Sequence, residues 1–162
     1  MTWPLQSECD AFYGNPRGDA GSFSPVWFRT NMTRISVPFG MTFAGKRVET
    51  ITIHRKCADS LSRVLQGIWV ASGHNQAVIE TWGMDKFGGS FSYRLMRGIN
   101  RLSMHAYGCA VDFDVERNGL GDPTPNFANC PLVLDAFAGE GWVWGGRWKR
   151  PDGMHFQAAI PN

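Results

Sequence analysis

Histidine occurs four times in this chain of 162 residues, and two of the four stand where a metal site can be built. His105 lies in SMHAYGCAVDFD, residues 103–114, seven residues before Asp112, and His155 lies in PDGMHFQ, residues 151–157. Imidazole nitrogen and carboxylate oxygen both suit zinc, and a catalytic zinc takes three protein ligands while leaving a fourth position to water. His105, Asp112 and His155 can supply that set. Asp152, three residues before His155, adds a carboxylate able to take a proton from water and hand it to a leaving amine. The chemistry suggested is metal-assisted hydrolysis.

Each of these residues also has a plainer reading. A histidine among apolar residues is ordinarily a satisfied core group or a surface one, and His54 and His74 are read that way. Taken singly, His105 and His155 fall under the same rule, and Asp152 in P-D-G is an ordinary turn residue. Asp114 shares a strand face with Asp112, so spacing does not choose between them. No H-E-x-x-H helix is present. Cys9, Cys57, Cys109 and Cys130 are far apart with no C-x-x-C, which makes them small buried residues rather than zinc or redox ligands.

Elements must bring the candidates together. Cys57, Leu61, Val64, Leu65 and Ile68 recur at helical spacing, predicting a helix over 56–71 that Gly73 stops. Residues 76–82 read as a strand of β-formers before the loop KFGGS. Ala110 to Val115 alternates as a second strand, with His105 in the turn ahead of it. A short helix over 132–137 and closing strands at 141–146 and 154–157 follow. Residues 1–45, rich in Gly, Pro and Asn, read as a loop-rich arm on the 46–162 core, so one α+β domain over 1–162 is expected. One of Trp142 and Trp144 belongs to the core. Trp148 precedes the Asp152 loop and is the aromatic residue placed to meet substrate, whereas Phe156 can line a wall or fill the core.

Composition excludes several functions. With 43% hydrophobic residues and eleven Phe and seven Trp the chain has a core to bury. A net charge of +2 without basic runs makes no nucleic-acid footprint. Nowhere do eighteen apolar residues run together, and the N-terminus shows no signal-peptide pattern, so a soluble, cytoplasmically made monomer is expected.

Ser103, His105, Gly108, Ala110 and Asp112 spell S-x-H-x-x-G-x-A-x-D, and Asp152, Met154, His155 and Phe156 spell D-x-M-H-F. The two motifs in this order closely resemble the zinc D-alanyl-D-alanine carboxypeptidases and L-alanyl-D-glutamate endopeptidases of bacterial cell walls. The resemblance spans roughly residues 48–157 and is weak before them. It implies one zinc held by His105, Asp112 and His155, with Asp152 as general base and acid. It also implies the small α+β fold, a central antiparallel sheet flanked by helices, shared with the hedgehog signalling domain. Arg94, in the Tyr-Arg position of SYRLMRG, is implied to steady the oxyanion, with Arg97 and Arg101 as competitors. Ser103 either orients substrate or caps the turn.

Relatives with Glu in the base position use E-x-x-H. The shorter Asp152 looks more like the phage endopeptidase branch. The function implied is a phage endolysin that acts on peptidoglycan, cuts the L-alanyl-D-glutamate bond, is made in the host cytoplasm and reaches the wall on release. The alternatives are a D,D-carboxypeptidase or dipeptidase trimming terminal D-alanine, a virion-associated wall-degrading protein, and a non-catalytic hedgehog-like zinc module.

Overall fold

The computed structural model describes residues 2–162; Met1, the first residue of the expected arm, lies outside them. The arm is more ordered than its composition suggests. It carries helix α1 (Cys9–Tyr13), helix α2 (Pro25–Asn31), and strand β1 (Met32–Ser36). Ser24 caps α2 by accepting from the Trp27 N–H at 3.2 Å, with Pro25 in the first turn. Trp3, Cys9, Tyr13, Trp27 and Met32 are buried, so these residues fill the core rather than lie over it.

Strands β2 (Thr42–Phe43) and β3 (Lys46–Arg47) make a small hairpin, and β4 (Thr50–His54) pairs antiparallel with β1. Helix α3 (Arg55–Ala71) follows directly and buries Cys57, Leu61, Val64, Leu65 and Ile68, the predicted face. Gly73 then turns left-handed at φ 72°. Residues 76–82, expected as a strand, form helix α4 (Gln76–Trp82). The ends decide it: the Asn75 side chain accepts from the Ala77 N–H, and Gly83 closes the helix at φ 84°. Only Ile79 is fully buried, so no strand face exists to be satisfied.

The remaining strands, β5 (Phe87–Gly89), β6 (Ala110–Phe113), β7 (Val143–Trp144) and β8 (His155–Gln157), form an antiparallel sheet in the order β5-β6-β8-β7, with α5 (Pro131–Gly139) between β6 and β7 in sequence. The chain is mixed α+β with small antiparallel sheets. Phe156 stacks on Phe137 at 3.9 Å and meets Phe127 edge-on at 5.6 Å, which places it in the core. Strand β6 ends two residues before the expected Val115, because Asp114 turns left-handed at φ 47°. No helix among the described residues is long and apolar enough to cross a membrane.

Candidate metal centre

The centre is built on the two middle strands. The β6–β8 register sets Asp112 directly opposite His155, so their side chains emerge side by side. His105 comes from the 3-10 turn Met104–Tyr107 just before β6. Ser103 starts that turn by accepting from the His105 N–H at 3.3 Å, and Gly108 ends it at φ 66°. A side chain on Gly108 would strike the Met32 methyl group, and the Gly108 carbonyl accepts from the His54 N–H at 2.8 Å. Glycine thus lets the turn press against the β1–β4 ribbon, which fixes its height over the sheet.

His105 Nε2 lies 3.1 Å from His155 Nδ1 and 3.2 Å from Asp112 Oδ2, and His155 Nδ1 lies 3.0 Å from Asp112 Oδ1. The outer ring nitrogens are held. His105 Nδ1 donates to the Ser90 carbonyl at 2.6 Å, and His155 Nε2 donates to Gln157 Oε1 at 3.0 Å. Gln157 is itself oriented, because its Nε2 donates to the Ala159 carbonyl at 2.7 Å. Each neutral imidazole then carries its proton outward and turns a lone pair inward. Two lone pairs and a carboxylate meet with no donor among them, a set that calls for a proton or a cation. The three ligand atoms lie within 4.8 Å of one another, and the donor types are those of a zinc site.

Where a proton takes the cation's place, an imidazole gains a hydrogen to donate to Asp112 and a charge to pair with it. Burial works against the Asp112 carboxylate, but hydrogen bonds and charge from His105 and His155 outweigh it and hold its pKa below the usual carboxylate range. Burial likewise opposes charging of His155, yet the hydrogen bond and charge of Asp112 raise its pKa above the ordinary imidazole value.

Asp152 sits in the loop before β8, with its N–H donating to the Gly145 carbonyl at 2.9 Å. Gly145 is needed there, since a Cβ would come within 2.7 Å of the Asp152 carbonyl oxygen. The Trp144 indole braces the same loop by donating to the Gly153 carbonyl at 2.8 Å. Asp152 Oδ1 is buried without a hydrogen-bond partner. Burial pushes its pKa up, against the pull of His155, His105 and Arg94. A carboxylate so placed is ready to accept a proton.

Asp112, Asp152, His105 and His155 line a cavity of about 360 Å³, together with Arg94, Ser103 and Trp148. The Trp148 ring stands 5.5 Å from the His155 ring. Arg94 is held by its own backbone carbonyl, which accepts from the Ser103 N–H at 2.9 Å. Ser103 caps the turn and faces the cavity, so both of its expected roles remain compatible with its place. Of the competitors to Arg94, Arg97 lines the same cavity, whereas Arg101 opens on a neighbouring one of about 260 Å³ beside Asp10 and Tyr107.

Asp114 is not part of the cluster. It points away and pairs with Arg117 at 2.7 Å. His54 is a satisfied core residue and His74 an exposed one. The four cysteines are free and buried. Trp142 is the core tryptophan, donating to Ser60 Oγ at 2.9 Å, and Trp144 is half-buried. Sequence reasoning did not single out Ser90, Gln157 or Arg150. Gln157 was findable, because it stands two residues beyond His155 on one strand face. Ser90 acts through its backbone carbonyl, which no residue type announces.

Comparisons with curated proteins and with solved structures return no match. Residues 97–158, less than half of the chain, match the family model described as D-alanyl-D-alanine carboxypeptidase. That span contains His105, Asp112, Asp152 and His155, and the match supports a metallopeptidase of this kind.

Proposed function

We propose that the protein is a zinc-dependent peptidase of bacterial peptidoglycan that cuts the L-alanyl-D-glutamate bond of the stem peptide and serves as a phage endolysin, acting at the wall after release from the host cytoplasm. It works as a monomer, with residues 2–45 belonging to the catalytic unit whose core they share. The observation that carries the reading is the meeting of two inward imidazole lone pairs and a carboxylate beside the unpartnered Asp152 Oδ1.

His105 Nε2, His155 Nδ1 and the Asp112 carboxylate would hold the zinc. Bound there, zinc supplies Lewis acidity, which lowers the pKa of water to about 7 and polarises a carbonyl. Asp152 Oδ1 takes the proton of the attacking water and passes it to the amide nitrogen as the C–N bond breaks. Arg94 faces the oxygen on which negative charge develops, where one such donor is worth about 3 kcal/mol. Trp148 and Ser103 hold the peptide in the cavity.

A second reading, release of terminal D-alanine, is favoured by the description of the family model that residues 97–158 match. Digestion of purified peptidoglycan with and without a chelator, followed by mass analysis, separates the two. Newly freed L-alanine carboxyl ends support the endopeptidase, and freed D-alanine supports the carboxypeptidase. The absence of any chelator-sensitive cut removes both.

A further inference from the structure

We infer that Arg97 and Arg150 form a carboxylate-reading subsite that selects an anionic peptide, a step that deepens the peptidase reading and rests on it for the kind of ligand. The cavity is lined by three guanidiniums, of Arg94, Arg97 and Arg150, and its acidic groups are Asp112 and Asp152. Asp112 is taken up by the two histidines. Among the described residues none of the three arginines forms an ion pair, although Arg17, Arg63 and Arg117 each hold a carboxylate at 2.8 Å or less.

The two arginines reach the cavity from different segments. Arg97 lies at the tip of a bulged loop closed by the Leu95–Leu102 bridge and by the Met96 N–H donating to the Arg101 carbonyl at 2.7 Å. Arg150 lies between Trp148 and Asp152 in the loop that carries the base. A substrate in the cavity therefore meets positive groups contributed by both segments. A guanidinium pairs two-pronged with a carboxylate and only weakly with its amide, so the natural selection is for a peptide with a free carboxylate beside the scissile bond. Such a group has two sources, the α-carboxylate left free by a γ-linked glutamyl residue or the carboxyl terminus itself. Arg101, on the same loop but facing the neighbouring cavity, serves as an internal control.

The test measures binding rather than turnover, using the zinc-loaded Asp152→Asn protein and L-Ala-γ-D-Glu-L-Lys peptides in calorimetry. One peptide carries a free glutamyl carboxylate and an amidated terminus, one the reverse, and one is amidated at both. A free carboxylate in at least one position is expected to tighten binding about tenfold over the doubly amidated peptide. The position that does so identifies the source. Adding Arg97→Gln and Arg150→Gln together should erase that preference, and Arg101→Gln should leave it intact. Equal binding of all three peptides, no binding of any, or a preference that survives the paired substitution would overturn the inference. Cleavage by the unsubstituted protein tests the peptidase reading separately, since a binding preference without cleavage would sink that reading and keep this one.

Discussion

Two neighbouring regions bury imidazoles and treat them oppositely. His54, at the end of β4, is 2% exposed, against 3% for His105 and 6% for His155, so burial does not tell them apart. What differs is the account of ring nitrogens. His54 Nε2 donates to the Tyr13 carbonyl at 3.0 Å and its Nδ1 accepts from the Lys56 N–H at 3.1 Å, which leaves nothing over. Burial, helped by the positive charges of Lys56 and Arg55, pulls its pKa down to about 4. His105 and His155 each keep one nitrogen free and aim it at a carboxylate. A buried histidine becomes a ligand when its neighbours satisfy only half of it.

The sharpest way to break this contrast is Asp112→Asn. The change keeps the shape of the carboxyl group but removes the charge that both histidines face, so zinc should be lost on dialysis. Activity on peptidoglycan should then fall by about a thousandfold or more. Far-UV circular dichroism should be unchanged, because the core beneath β6 is apolar and untouched. Stoichiometric zinc in the dialysed variant, measured by elemental analysis, would remove Asp112 from the ligand set.

His54→Ala should do the reverse, keeping zinc and losing stability. It removes the cap on α3, one of the two donors to the buried Tyr13 carbonyl, which keeps the Trp27 indole, and the ring packed against Tyr13, together worth about 3 kcal/mol in denaturant unfolding. The loss should also depend on pH. The folded pKa of His54, about 4, lies below the unfolded value of 6.5, so the unfolded chain binds the extra proton between them. The stability this residue contributes is full above pH 6.5 and disappears as pH falls through 4, a swing of about 3 kcal/mol. The gap between wild type and variant should therefore close over that range, and a constant gap would show that His54 is not held neutral by the fold.

Gln157→Leu has a smaller expected effect and tests the outer hydrogen bonds. Without Gln157 Oε1, His155 Nε2 loses the acceptor that fixes its tautomer, and zinc affinity should fall tenfold to a hundredfold in competition with a chelator. The zinc stoichiometry at saturation should stay at one, which distinguishes an orienting residue from a ligand.

The centre was far more legible in the sequence than the region beside it. Spacing alone left His105, Asp112 and His155 each with a plainer reading, and they became legible together because two motifs in that order resemble a zinc peptidase family. Asp114 remained an alternative because alternation alone put it on the face of Asp112. Only its left-handed backbone, at φ 47°, ends the strand and turns it to Arg117. Residues 76–82 misled because Val78, Ile79, Thr81 and Trp82 favour strands, whereas Asn75 and Gly83 fix both ends of a helix. The first forty-five residues hid their helices because five- and seven-residue segments are too short to show a period. Their burial depends on contacts far along the chain, as where Tyr13 donates its hydroxyl to the Ala158 carbonyl at 2.6 Å.

His74 completes the set and sets the lower bound of the contrast. It is exposed, turns left-handed at φ 55° directly after Gly73, and donates its N–H to the Trp69 carbonyl at 3.0 Å. Its ring meets Trp69 edge-on at 5.4 Å between centroids. Asparagine tolerates the left-handed backbone and keeps the N–H, so His74→Asn gives up the edge-on contact with Trp69 at an exposed position. Unfolding free energy should change by about 0.5 kcal/mol or less, with zinc content and the pH dependence of stability unaltered. A shift as large as that of His54→Ala would mean that exposure, not the count of free ring nitrogens, has been misjudged as the dividing line among the four histidines.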